Sequence, residues 1–197
     1  MVKPEIKLNA PLSKDIVTSL KVGDIVLIDG PIFTGRDKVY KMLCNERPDK
    51  KDIPFDLKGG MIYHCGPVVK KTDEGYKVVA AGPTTSMRVE MYSAEVIKNY
   101  GIMAIIGKGG MGDGALNALR EYGCVYLHAM SGAAAYLADR IKNITGVWKL
   151  EEFGASDAMW SFDAEDFPAV VTMDARGSSL HKEIEKASFE KLRELMK

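Results

Sequence analysis

Three cationic side chains stand where an apolar run gives way to a helix-like pattern. They are Arg36 in Thr34-Gly35-Arg36-Asp37, Arg88 in Gly82-Pro83-Thr84-Thr85-Ser86-Met87-Arg88, and Lys108 in Gly107-Lys108-Gly109-Gly110-Met111-Gly112. An arginine presents a planar fork of donors that grips a carboxylate through two parallel hydrogen bonds. Thr84 and Thr85 add hydroxyl donors, and the first turn of a helix offers free N–H groups at the positive end of its dipole. A cation in that first turn opposes the dipole, so Arg36 calls for an acidic neighbour, either Asp37 or an anionic ligand. If one sheet edge gathers the three junctions, the result is a cationic pocket for a small dicarboxylate. Taken singly, the glycine-rich loop is at least as well explained as a turn with a solvated lysine. The Thr-Thr-Ser stretch could be plain capping, although capping does not require Gly-Pro followed by three hydroxyls and an arginine.

The glycine run formally satisfies G-x-G-x-x-G between a strand and a helix, which opens a dinucleotide-binding reading. The following strand ends in His128-Ala129-Met130, without the acidic residue that a ribose would need. His64 ends a strand just before Cys65-Gly66-Pro67 and is a further candidate for the same edge, or else a satisfied buried histidine. His128 and His181 have no evident partner. Ser131-Gly132 lacks the G-x-S-x-G setting of a nucleophilic serine. Cys44, Cys65 and Cys124 are odd in number and widely spaced, so neither a disulfide framework nor a metal or iron–sulfur ligand set follows from them.

The elements that must carry these residues alternate. Residues 25–28 are a β-branched strand ending at Asp29-Gly30-Pro31, and Thr34 caps a helix with Asp37 at the capping-box spacing. Residues 60–64 and 76–81 read as strands forming a hairpin-like pair. Residues 86–100 read as one helix with Met87, Met91, Ala94, Val96 and Ile97 on its apolar side. Residues 103–106 and 125–127 read as buried strands, and 115–122 and 132–141 as helices. The C-terminal part reads as two strands, 160–162 and 170–173, joined by a short connection. A helix with Leu180, Ile184, Ala187, Lys191 and Leu195 along one face then follows. The expectation is one α/β domain over residues 1–197, a mixed sheet with β-rich ends rather than a regular doubly wound sheet.

Composition narrows the function classes. The 197 residues suffice for one substantial core, and 46% are hydrophobic. Lys and Arg number 27 against 27 Asp and Glu, so no global field draws the chain to nucleic acid or to an anionic membrane. No apolar run reaches the ~20 residues of a membrane span, and the first residues have no apolar signal core. A cytoplasmic protein with reduced thiols is expected.

At the same residues the chain resembles the β-subunit or C-terminal domain of class I fumarate hydratases and L-tartrate dehydratases. The stretches that carry the resemblance are PLSKDIVTSLKVGDIVLIDGPIFTGRD, KGGMIYHCGPVV, AAGPTTSMRVEMY, IIGKGGMG and DAMWSFDAEDFPAVVTMDARGSSL, in family order from Pro11 to Leu180. The resemblance implies a swivelling β/β/α domain. It implies a partner α-subunit whose three cysteines hold a [4Fe–4S] cluster with one open iron site, while this chain binds no cofactor itself. It implies an α2β2-type hetero-oligomer that adds water reversibly to fumarate. By the same resemblance Arg36 and Arg88 bind the substrate carboxylates, Thr84 and Thr85 contact the substrate, and Lys108 is a further anion contact. Thr84 is the position implied for proton transfer at carbon. Ser86-Met87 stands where the fumarase pattern often has Ala-Gly, which leaves tartrate, mesaconate or a related diacid open as substrate. A non-catalytic anion-binding module is the reading from outside the enzyme class.

Overall fold

The β-branched run at residues 25–28 opens a strand longer than its own apolar stretch. In the computed structural model, which describes residues 5–73 and 75–196, that strand continues to Thr34. In chain order the elements are β1 (Ile6–Asn9), α1 (Lys14–Ser19), β2 (Ile25–Thr34), α2 (Asp37–Lys41), β3 (Met61–Tyr63), β4 (Val68–Thr72), β5 (Gly75–Ala80) and α3 (Glu90–Tyr100). They continue with β6 (Ala104–Gly107), α4 (Asp113–Tyr122), β7 (Val125–Ala129), α5 (Ala134–Asp139), β8 (Ile141–Trp148), α6 (Leu150–Phe153), β9 (Met159–Met173) and α7 (Leu180–Leu195).

Two long strands organise the sheet. β2 and β9 run antiparallel along nearly their full lengths, from Ile25↔Val170 to Phe33↔Ser161. The other side of β2 carries parallel β1 and then parallel β3. The other side of β9 carries antiparallel β8 on its first half and antiparallel β7 on its second. Parallel β3–β6–β7 joins the two sides, so the mixed sheet curls into a partial barrel, with β4–β5 as a separate two-stranded sheet. This is the mixed α/β, β-rich arrangement expected from the sequence.

Period-2 alternation distributes the core to two faces. Met61, Tyr63, Ile106 and Leu127 point into the barrel with Trp160, Phe162 and Phe167. Ile62, Ile105 and Tyr126 point the other way, beneath Val39, Leu43, Val96, Ile97, Leu116 and Leu119 of the helical layer. Both faces are covered, which is why β3, β6 and the first three residues of β7 are dominated by apolar and aromatic side chains.

Several local expectations are corrected. Residues 60–64 do not pair with 76–81. The hairpin partner of β5 is β4, and β3 lies between β2 and β6. Thr34 is no helix cap. It ends β2, where its hydroxyl accepts from the Trp160 N–H at 2.9 Å and donates to Ala158 O at 3.2 Å. The helix over 86–100 begins as a 3₁₀ turn, Ser86–Val89, and its buried side is Val89, Ser93, Val96, Ile97 and Tyr100. Met87 and Met91 face outward at 52% and 76% exposure. The two C-terminal strands are one fifteen-residue strand, β9. It is bent where Asp166 takes a left-handed φ of 49° and its N–H bonds the Asp29 carboxylate at 2.7 Å. β1, α1 and β8 were not legible beforehand. The helical face predicted at the C-terminus exists in α7, but Ile184, Phe189, Leu192 and Leu195 are exposed.

Candidate functional site

Strands β2, β3, β6 and β7 run parallel, so their C-terminal tips share one edge, the edge where ligands bind in parallel sheets. The segment Pro83–Ser86 crosses that edge between the tips of β3 and β6. The Thr84 N–H donates to His64 O at 2.6 Å, the Lys108 N–H to Thr84 O at 3.3 Å, and the Ser86 N–H to Lys108 O at 3.2 Å. Thr84, Thr85 and Lys108 are thus knitted together by main-chain bonds. Lys108 is half-buried, and among the described residues its ammonium has no hydrogen-bond or ion-pair partner.

Arg36 follows the tip of β2 and reaches across the tip of β3. A Cβ on Gly66 would lie 2.5 Å from Arg36 Nη1 and 2.9 Å from the main-chain oxygen of Ser156, so a side chain there would displace the guanidinium and press on the backbone it bonds. Nη1 donates to Ser156 O at 3.4 Å, Nε stands 3.7 Å from the Asp157 carboxylate, and Nε makes no hydrogen bond. Asp37 is not the partner of Arg36. Its carboxylate accepts from Arg88 Nη2 at 2.9 Å, and both side chains are largely exposed. Arg88 is thereby tied to the residue next to Arg36. Two arginines on this edge already hold carboxylates, one loosely and one in solvent. The exposed Arg88–Asp37 pair contributes roughly 0–1 kcal/mol, so a substrate carboxylate can displace Asp37 at little cost.

Thr84 and Thr85 stand on the same edge, Thr84 half-buried and Thr85 exposed. The Thr84 hydroxyl donates to His64 O at 3.0 Å, which leaves its lone pairs to accept from a ligand. The amides of Thr84 and Ser86 are already bonded, so the segment is not the open helix N-terminus that the sequence suggested. The neighbouring Ser86 faces inward and is 0% exposed.

His64 is also turned inward. Its Nδ1 meets Ser86 Oγ at 2.8 Å and its Nε2 meets Tyr40 OH at 2.7 Å, so its ring has no free nitrogen for a ligand. Burial pushes its pKa down from 6.5 to about 3. The unfolded chain takes up a proton here below about pH 6.5, whereas the folded chain does not until about pH 3, so protons favour unfolding. The stabilising contribution is complete above pH 6.5. It declines as pH falls toward 3, by up to about 1.4 kcal/mol per pH unit. Burial moves His128 and His181 in the same direction. Urea midpoints are expected to fall between pH 7.5 and 5, and to fall less in His64→Asn. Equal slopes for the two proteins would contradict this assignment.

The glycine-rich loop is not a dinucleotide site. Both carboxylate oxygens of Glu90 accept at the N-terminus of α4, from Gly112 N and Ala115 N at 2.9 Å each. A pyrophosphate would have to evict that carboxylate. Gly107 has a different use: a Cβ there would collide with Ser86 Oγ and lie 3.1 Å from His64 Nδ1 and Tyr126 OH.

The cysteines do not fit an iron–sulfur cluster. Cys65 and Cys124 are buried, with the Cys65 thiol pushed up to about 12 by burial and that of Cys124 also raised. Among the described residues no three His, Cys, Asp or Glu side chains group to hold a metal ion. Two cavities, of about 640 and 410 Å3, lie away from the edge. One is between β5 and β8, the other beside Lys50, Phe55 and Tyr100. No helix among the described residues is long and apolar enough to cross a membrane. Asp157 and Glu90 escaped the sequence reading, because their partners lie 121 and 22 or more positions away with no periodic signal.

Known proteins match this chain over nearly its whole length. The Fumarase C-terminus family matches residues 2–184. A Geobacillus stearothermophilus protein, provisionally named class I fumarate hydratase, is 52% identical over 188 residues, 95% of this chain and 35% of that protein. The chain therefore spans about a third of that relative's length. A Methanocaldococcus jannaschii protein, provisionally named L(+)-tartrate dehydratase subunit beta, is 41% identical over 94% of this chain and 95% of its own length. The L(+)-tartrate dehydratase subunit beta of Escherichia coli K12 is 31% identical over 93% of this chain and 90% of its own length. By these matches the chain belongs to the Fumarase C-terminus family, as a β-subunit-type member of the class I fumarate hydratase and L(+)-tartrate dehydratase group.

Proposed function

We propose that this chain is the β-type subunit of a [4Fe–4S]-dependent hydro-lyase that interconverts fumarate and (S)-malate. In this reading a partner α-subunit holds the cluster with its own cysteines, in an α2β2-type assembly in the cytoplasm. The observation that carries the reading is the edge itself. Arg36 and Arg88 each stand beside a carboxylate, Asp157 at 3.7 Å and Asp37 at 2.9 Å, and the ammonium of Lys108, without a partner among the described residues, lies on the same edge. A C4 dicarboxylate supplies two anionic groups for such a set. The 52% identical relative carries a fumarate hydratase name, which supports fumarate over other diacids.

In this reading the arginines orient the diacid and stabilise the enolate-like charge that develops on a carboxylate as the C–H proton leaves. Lys108 adds a point charge to the same anion. Thr84 and Thr85 hydrogen-bond the substrate. The Thr84 hydrogen already goes to His64 O, and a threonine at its ordinary pKa is a poor base. Proton transfer through Thr84 therefore requires an activating group.

The second reading is L(+)-tartrate dehydration, favoured by the names of the M. jannaschii and E. coli relatives. Co-expression with a cysteine-bearing α-type chain is the test. The expected product is a brown, oxygen-sensitive complex that hydrates fumarate faster than it dehydrates L-tartrate. The reverse order of kcat/KM would select the tartrate reading. A complex inactive on fumarate, malate and tartrate would leave the non-catalytic anion-binding module.

A further inference from the structure

Behind the edge, four buried side chains form one hydrogen-bonded chain from α2 to β7. Tyr40 OH meets His64 Nε2 at 2.7 Å, His64 Nδ1 meets Ser86 Oγ at 2.8 Å, and Ser86 Oγ meets Tyr126 OH at 2.8 Å. None of the four is more than 1% exposed. We propose that Tyr40–His64–Ser86–Tyr126 is the positioning device of the site, fixing where Thr84, Thr85 and Lys108 stand relative to one another. The proposal rests on the reading of those three as substrate contacts.

The members beyond Tyr40 are each a short link from such a contact, and Tyr40 holds the far nitrogen of His64. The carbonyl of His64 accepts both the amide and the hydroxyl of Thr84. Ser86 follows Thr85 directly, and its amide donates to Lys108 O. Tyr126 lies on β7, whose His128 is paired with Gly107, the residue before Lys108. The tip of β6 is also pressed onto the chain, since a Cβ at Gly107 would collide with Ser86 Oγ. Three segments distant in sequence thus meet at the His64–Ser86 pair.

Apolar side chains could fill this space, but they would set volume and not direction. Hydrogen bonds impose both, and a fully satisfied buried network favours a single arrangement. The chain has one consistent sense. When each hydroxyl and the imidazole pass a hydrogen along, either Tyr40 donates to His64, His64 to Ser86 and Ser86 to Tyr126, or all three bonds run the other way. In both senses the imidazole is neutral, and each of the three bonds uses one hydrogen. Breaking any bond leaves a buried donor or acceptor without a partner.

Asparagine and glutamine at position 64 separate the two arms. The asparagine amide falls near the place of Nδ1 and keeps the bond to Ser86. The glutamine amide reaches the place of Nε2 and keeps the bond to Tyr40. The Ser86 arm is the one joined to Thr85 and Lys108. In the assembled, cluster-loaded complex, His64→Gln and Ser86→Ala are expected to lose about tenfold or more in kcat, as reacting groups drift from attack geometry. His64→Asn is expected to recover kcat to within about threefold of wild type, although it melts lower as His64→Gln does. A chain that only stabilises the fold would lower the melting temperature of both position-64 variants and leave kcat of the folded fraction unchanged.

Wild-type-like kcat in His64→Gln or Ser86→Ala would overturn the proposal. So would failure of both to fold while His64→Asn folds, because the chain would then be a stability element. An inactive wild-type complex would overturn the hydro-lyase reading and this one with it. An active wild type with unaffected variants would overturn this one alone.

Discussion

Replacing Arg88 by lysine in the assembled enzyme is expected to lower kcat/KM for malate and fumarate about ten- to a hundredfold. Lysine keeps the charge but loses the planar two-point grip on a carboxylate. One charge-assisted hydrogen bond contributes roughly 1.5–3 kcal/mol, which sets the size of the effect. The competing explanation is that Arg88 exists to hold Asp37. That pair is 2.9 Å long but more than 40% exposed on each side, and such pairs contribute about 1 kcal/mol or less. Asp37→Asn breaks the same pair from the other side and serves as the control. If Arg88 binds substrate, Asp37→Asn leaves kcat/KM near wild type or raises it, because a competing carboxylate is gone. If both substitutions cost the same, the ion pair is the functional unit and the substrate lies elsewhere. Kinetics normalised to folded, cluster-loaded complex decide between these outcomes.

The largest effect on stability is expected from Trp160→Ala. The indole is 0% exposed, donates to Ala155 O at 2.7 Å, and stands edge-on to Tyr76 with ring centroids 5.3 Å apart. Its amide is bonded to the Thr34 hydroxyl at the tip of β2. Truncating a buried aromatic of this size costs about 3–5 kcal/mol. That is a large part of the 5–15 kcal/mol typical of a domain. Equilibrium urea unfolding of the isolated chain at pH 7.5, compared through midpoints at constant m, measures the loss. Trp160→Phe keeps most of the volume and should lose less. A cost below about 1 kcal/mol for the alanine variant would mean that β9 is not registered on β2 as described.

The local pattern carried much of this architecture. The apolar runs at residues 25–28, 103–106 and 125–127 fall on β2, β6 and β7, because an apolar run between turn residues suits a strand that packs into a core. The three cation-bearing motifs were legible as strand-to-helix junctions for the same reason. The chain of motifs from Pro11 to Leu180 was enough to indicate the family, which the matching relatives bear out.

What lay beyond the sequence were partnerships between distant residues. A hydroxyl or imidazole reads the same whether it faces a ligand or the core. Ser86 and His64 turn inward because Tyr126 and Tyr40, 40 and 24 positions away, stand there as their hydrogen-bond partners. Asp37 stands beside Arg36 in sequence but bonds Arg88, 51 positions on, because the crossing of the strand tips decides which charges meet. Met87 and Met91 fit a helical stripe that the neighbouring elements leave uncovered, and the stripe of α7 is equally apolar and equally exposed. β9 hid as two strands because its polar, proline-bearing middle resembles a turn until β2 supplies its hydrogen-bond partners. Sequence determined the periodicity and chemistry of each segment, since those depend on neighbours three or four residues away. Which face is covered, and which charge finds which partner, was decided only when non-local strand pairing fixed the edges side by side.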